Sequence, residues 1–142
     1  MSGKRRVLVL CTGNSCRSQM AEGWLRHDLG DRVEAFSAGV RPSFLHPLAV
    51  KVMAEAGVDI SWHRSQPASE VLGQHFDLVV TVCDAAREAC PTFPGAARRA
   101  HESFPDPAGF SGTDEETVAR FREVRDLIRS RIVPLVRREL LL

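Results

Sequence analysis

Net charge is nearly absent from this chain: nineteen Lys and Arg stand against eighteen Asp and Glu, a formal +1 over 142 residues. That balance offers no electrostatic case for binding nucleic acid or an anionic membrane. Long apolar runs are also missing. The stretch near the N-terminus, Val7-Leu8-Val9-Leu10, has four residues, too few for a signal-peptide core or a membrane span, so a cytosolic location is expected. Repeats and low-complexity tracts are lacking, and the length suits one domain, 1–142, able to bury about 70% of its unfolded surface. Cysteine is scarce, with four in all. None sits in a C-x2-C knuckle: the spacings are Cys11-x4-Cys16 and Cys83-x6-Cys90, which argues against zinc. In a reducing compartment structural disulfides are rare, so these thiols read as catalytic or redox-active.

What the chain does have is the run Cys11-Thr12-Gly13-Asn14-Ser15-Cys16-Arg17-Ser18 directly after the apolar Val7–Leu10 stretch. A thiol, a glycine-containing turn and an arginine are thereby placed at a strand-to-helix junction, where backbone N–H groups converge. Such a loop is suited to a tetrahedral oxyanion. Amides of Thr12, Gly13, Asn14, Ser15 and Cys16 would line it, and Arg17 would close it with a forked contact. Gly13 and Asn14 both tolerate the positive φ of a tight turn. The helix N-terminus and the guanidinium favour the nucleophilic thiolate of Cys11. Ser18 stands where its hydroxyl can donate to the Cys11 sulfur.

Strand and helix signals alternate along the rest of the chain. Ser18 to Leu29 reads as a helix stopped by Gly30, Val33 to Ser37 as a short strand, and His46 to Ala56 as a helix with Pro47 near its start. Phe76 to Val82 carries the continuous β-branched run of a strand buried on both faces and ends at Cys83. Ala100 to Phe104 is a weaker strand. Thr113-Asp114-Glu115-Glu116 is a capping box before a long amphipathic helix through Val118, Phe121, Val124, Ile128 and Ile132, which Pro134 should end or kink. The order implies an α/β fold, a parallel sheet between helices, with ligands beyond the carboxyl ends of the strands. Cys11, Cys83 and the loop after the fourth strand all fall at that edge.

The segment between Cys83 and Cys90 favours a helix, with Asp84 as a first-turn acid. Seven residues at 1.5 Å each hold the two Cα atoms about 10.5 Å apart, whereas a disulfide needs roughly 4.4–6.8 Å. Either the two never bond or the helix unwinds when they do; two small residues packing one helix face is the plainer reading. Asp106, between Pro105 and Pro107, is held rigidly and suits a general acid that protonates a departing oxygen. Its plainer role is a turn-former.

Cys11 through Gly23, Ser37-Ala38-Gly39, Asp77 through Cys83, Cys90-Pro91 and Asp106-Pro107-Ala108-Gly109 together resemble the thioredoxin-coupled arsenate reductases, built on the low-molecular-weight tyrosine phosphatase fold. The resemblance runs from Val7 to the last helix. It implies a three-layer sandwich around a four-stranded parallel sheet and reduction of arsenate to arsenite. It further implies that Cys11 attacks arsenate held by the loop and Arg17 while Asp106 protonates the leaving oxygen. Cys83 then attacks Cys11, Cys90 resolves the disulfide, and thioredoxin reduces the exposed Cys83–Cys90 pair. Ser18 would tune the nucleophile; Cys16 receives no redox step. No tightly bound cofactor is implied, and a monomer is expected.

Potassium-binding members use positions matched here by Asn14, Glu22 and Ser37, but an acidic ligand near His63-Arg64-Ser65 is replaced by Gln66, whose neutral amide is a weaker cation ligand. The main expected role of Asn14 and Ser37 is to hydrogen-bond the loop and fix its shape, with a weak cation site as an extra. Two other functions share the motifs. A phosphatase acting on phosphotyrosine or small phosphate esters would use Cys11, Arg17 and Asp106 but not a resolving pair, and this chain has no tyrosine where such phosphatases place aromatics beside Asp-Pro. A non-catalytic oxyanion-binding or redox-sensing regulator would show no turnover with thioredoxin.

Overall fold

The computed structural model describes residues 3–84 and 98–142. Four strands form one sheet: β1 (Arg5–Cys11), β2 (Val33–Gly39), β3 (Leu78–Thr81) and β4 (Arg99–His101). Their spatial order is β2-β1-β3-β4 and every pairing is parallel. Parallel sheets are covered on both faces, and the central strand shows it: Val7, Leu8, Val9 and Leu10 are fully buried. Each such side chain contributes about 1.5–3 kcal/mol on burial.

Three helices, α1 (Arg17–Leu29), α2 (Pro47–Glu55) and α3 (Asp114–Leu140), pack against one another. A Cβ on Gly23 of α1 would stand 2.8 Å from Ile60 and 2.9 Å from Met53, closer than real side chains approach. Glycine is needed there for the helix to lie against that wall. Trp24 of α1 is buried, and its indole donates to the Arg125 carbonyl of α3 at 3.1 Å. The Cys83–Cys90 helix expected from sequence, and with it the completion of the third layer, lies outside the described residues.

Several boundaries differ from the sequence reading; β3, read as Phe76 to Val82, spans only Leu78–Thr81. α3 starts at the Thr113/Glu116 capping box as expected but runs through Pro134 to Leu140. Pro134 is exposed, so the carbonyl that loses its amide partner faces water, while Leu135, Val136 and Leu140 continue the buried stripe. β4 is shorter than the Ala100–Phe104 segment, although Glu102 N still donates to the Thr81 carbonyl at 3.0 Å and Phe104 N to Val82 at 3.1 Å. β2 extends two residues further, to Gly39.

The topology selects one crevice. From β1 the chain crosses to β2 on one side, then returns past β1 to β3 on the other, so the carboxyl ends of β1 and β3 flank the point where the winding reverses. Open α/β sheets bind ligands there. Cys11 ends β1, and Cys83 follows β3 next to it.

Candidate active site

The loop between β1 and α1 is fastened from outside. Val40 N donates to the Cys11 carbonyl at 3.2 Å, Arg41 N to Thr12 at 2.9 Å, Ser43 N to Gly13 at 3.0 Å and His46 N to Ser15 at 3.0 Å, while the buried Gln19 amide donates to the Asn14 carbonyl at 3.0 Å. A trans peptide sets its N–H opposite its carbonyl. Carbonyls held outward by the 40–46 segment therefore turn the amides of Thr12, Gly13, Asn14 and Cys16 toward the loop centre. Gly39 permits this close seating: a Cβ there would lie 2.8 Å from the Thr12 carbonyl oxygen and 3.0 Å from Asn14.

Only one of the two expected turn residues has a left-handed backbone. Asn14 sits at φ 48°, and Gly13 does not share that conformation. A Cβ on Gly13 would approach the Ser43 hydroxyl to 3.2 Å, a tight contact that the exposed serine side chain can relieve by rotating. The strained Asn14 is over-determined by its buried side chain. Its Nδ2 donates to Ser18 Oγ at 2.8 Å and Ser37 Oγ at 3.0 Å, and its Oδ1 accepts from Gln66 N at 2.9 Å.

Cys11 Sγ lies 3.1 Å from Ser18 Oγ. Ser18 Oγ accepts from Asn14 and still has a proton and a lone pair for this contact; against a Cys11 thiolate, which can only accept, the hydroxyl is the donor. Arg17 opens α1 and reaches across the crevice: Nη1 donates to the Phe104 carbonyl at 3.2 Å, and Nη2 lies 3.7 Å from Asp106 Oδ2. Arg17 Nε is buried with no partner among the described residues. An orphaned buried donor costs about 1–3 kcal/mol, so this one awaits an acceptor.

Asp106 takes the turn-forming place considered from sequence. Its Oδ1 caps a short 3-10 turn, Pro107–Gly109, by accepting from Ala108 N at 3.0 Å. It also faces Cys16, whose Sγ lies 3.7 Å from the same oxygen. Burial, reinforced by the Asp106 charge, pushes the Cys16 thiol up to about 12. Cys16 stays protonated at neutral pH and is the hydrogen-bond donor of this pair. Cys83 is buried, and its Sγ lies 3.2 Å from Thr12 Oγ1. Cys90 lies outside the described residues.

Glu22 and Ser37 continue the loop's support. Ser37 Oγ donates to Glu22 Oε1 at 2.7 Å, and Arg26 Nε donates to Glu22 Oε2 at 2.9 Å. Gln66 Nε2 donates to the Ser37 carbonyl at 2.9 Å. Asn14 Oδ1, Glu22 Oε1 and the Ser37 carbonyl thus each hold a protein donor, and Asn14 and Ser37 hydrogen-bond the loop as expected from sequence. Among the described residues no three His, Cys, Asp or Glu side chains converge to hold a metal.

Three residues without an assigned role in the sequence reading belong to the same scaffold. Gln19 donates to the carbonyls of Asn14 and Arg64, both at 3.0 Å, and accepts from His63 Nδ1 at 2.9 Å. Burial lowers the pKa of His63 against the opposing pull of Glu22. His46 caps α2, accepting from Leu48 N at 3.1 Å, and its ring lies 4.8 Å from Phe121.

Comparison with known proteins places this geometry. Residues 6–140 match the family model of the low molecular weight phosphotyrosine protein phosphatases. An arsenate reductase of Halalkalibacterium halodurans is 50% identical over 129 residues, covering 91% of this chain and 93% of that protein. A solved arsenate reductase in a phosphate-binding state superposes with a TM-score of 0.81 at 30% identity, covering 94% of this chain and 98% of the other. A thioredoxin-dependent arsenate reductase of Corynebacterium glutamicum gives a TM-score of 0.73 at 31% identity, over 99% of this chain and 64% of that one.

Proposed function

Because this chain belongs to the low molecular weight phosphotyrosine protein phosphatase family, we propose that it turns the family's oxyanion loop to the reduction of arsenate to arsenite, with thioredoxin as the electron donor. The observation that carries this reading is the second buried thiol: Cys83 hydrogen-bonds Thr12 of the very loop that opens with Cys11. Ester hydrolysis has no use for it.

Arsenate enters the loop, where inward amides and the unpartnered Arg17 Nε take its oxygens. The Cys11 thiolate, supported by the Ser18 hydroxyl, attacks arsenic; an S–As bond forms, an As–O bond breaks, and the oxygen departs as water with a proton from Asp106. The Cys83 thiolate then attacks Cys11 Sγ. An S–S bond forms and the S–As bond breaks, its electron pair passing to arsenic, which falls from As(V) to As(III) and leaves as arsenite. Two thiols have become one disulfide, so the electrons balance. Cys90 attacks Cys83, returns Cys11 as thiolate, and the Cys83–Cys90 disulfide is reduced by the thioredoxin dithiol. Other tetrahedral oxyanions, phosphate among them, compete for the loop. A monomer working in the reducing cytosol accommodates this cycle, and no tightly bound cofactor enters it.

The test is NADPH oxidation coupled through thioredoxin reductase and thioredoxin. Arsenate-dependent turnover is expected. Hydrolysis of p-nitrophenyl phosphate without any such turnover would favour the phosphatase instead, and neither activity would leave an oxyanion-binding or redox-sensing regulator.

A further inference from the structure

One imidazole ties together the residues on either side of Cys83. The Thr81 hydroxyl lies 2.6 Å from His101 Nδ1, and His101 Nε2 lies 3.1 Å from Asp84 Oδ1. A carboxylate only accepts, so Nε2 carries the hydrogen and donates to Asp84. Nδ1 shares a hydrogen bond with the Thr81 hydroxyl, which can serve as either partner.

The two ends of this bridge differ in burial. His101 sits directly opposite Thr81 in the β3–β4 register, and the Glu102 and Phe104 amides continue that pairing to Thr81 and Val82. Thr81 is buried in the sheet. Asp84, by contrast, has a side chain 76% exposed, and an exposed pair of this kind adds little to stability. The consequence is geometric. Cys83 stands between residue 81, which the sheet fixes, and residue 84, which His101 fixes.

We propose that His101 is a positioning residue for the second thiol: by holding Asp84 against Thr81 it sets the backbone of Cys83 so that its sulfur stays beside Thr12 and within attacking reach of Cys11. This inference rests on the relay described above. It concerns only the step in which Cys83 displaces arsenic from Cys11, because among the described residues His101 and Asp84 bond Thr81 and each other and no residue of the oxyanion loop. Thiol exchange requires an aligned approach of two sulfurs, and a misplacement of about 1 Å in such a step costs on the order of a hundredfold.

The experiment uses the full chain in a Cys90→Ser background, which stops the cycle at the Cys11–Cys83 disulfide. Crosslink formation after one equivalent of arsenate is followed by acid quench and peptide mapping, and phosphate binding is measured in parallel. His101→Ala and Asp84→Ala should each slow crosslinking about tenfold with phosphate affinity unchanged. Asp84→Asn, which keeps the accepting oxygen, should stay near the parent. The double alanine variant should be no slower than the slower single one, since both cut the same link. Asp84→Ala changes an exposed position and tests the idea even where His101→Ala perturbs folding. Parent-like crosslinking in Asp84→Ala, multiplicative slowing in the double variant, or an equal loss of phosphate binding would each overturn the proposal. A parent that never crosslinks would instead bring down the relay, and this step with it.

Discussion

The Ser18 hydroxyl stands 3.1 Å from the Cys11 sulfur while accepting the Asn14 side-chain amide at 2.8 Å. A Cys11 thiolate can only accept, so in the reactive form the hydroxyl is the donor. A hydrogen bond to a charged partner is worth about 1.5–3 kcal/mol, so Ser18→Ala should lower kcat/KM for arsenate by roughly ten- to a hundredfold. An unchanged kcat/KM would show that Ser18 only fills space.

Arg17 offers a forked group, with Nη1 on the Phe104 carbonyl, Nη2 beside Asp106 and Nε open. Lysine supplies one point charge and cannot reproduce that geometry. Arg17→Lys should weaken phosphate competition and cut arsenate turnover about a hundredfold or more. Near-normal kinetics would contradict the anion assignment.

Cys16 supplies a pH signature separate from catalysis. Burial raises its thiol from 9.0 in the unfolded chain to about 12 in the fold. Between those values the unfolded chain has lost the proton and the native state keeps it, so stability falls as pH rises. Below about pH 9 both states are protonated and the contribution is level. The loss amounts to roughly 1.4 kcal/mol per pH unit for one group. Urea melts from pH 8 to 11 should show a shallower decline in Cys16→Ser than in the parent. Because Cys16 has no redox step, the same variant should keep multiple turnovers.

Exchanging potassium for sodium or choline at constant ionic strength should alter the rate by less than about twofold, since Gln66 offers a neutral amide, its Nε2 held on the Ser37 carbonyl, where an acidic cation ligand would be needed. A strong, potassium-specific activation would show that the ion binds there without that carboxylate. Thermal melts in the three salts give a second reading.

How much of this was legible beforehand depends on how local each device is. The loop from Cys11 to Ser18 is one contiguous run, and the strand before it and helix after it carry plain periodicity, so nucleophile, cradle and guanidinium could be read together. Asp106 was marked by its flanking prolines. Gln19 and Gln66 were harder: they act on Asn14 and Ser37 across separations of up to 52 residues, and nothing in an amide's neighbours announces its distant partner. Of the two turn residues, the left-handed backbone falls on Asn14 and not on Gly13, a choice made by the tertiary hydrogen bonds on the Asn14 side chain. Pro134 misled in the other direction. A proline penalty is local, whereas the buried stripe of Leu135, Val136 and Leu140 that carries α3 past it is decided by packing.

The central claim is that electrons for arsenate come from Cys11 and Cys83 and leave through Cys90. A single-turnover experiment on Cys90→Ser, with arsenite quantified and tryptic peptides mapped under non-reducing conditions, addresses it directly. The account predicts one arsenite per chain and a Cys11–Cys83 crosslink, with thioredoxin unable to sustain further cycles. Repeated turnover by that variant with thioredoxin, or arsenite release without the crosslink, would contradict it.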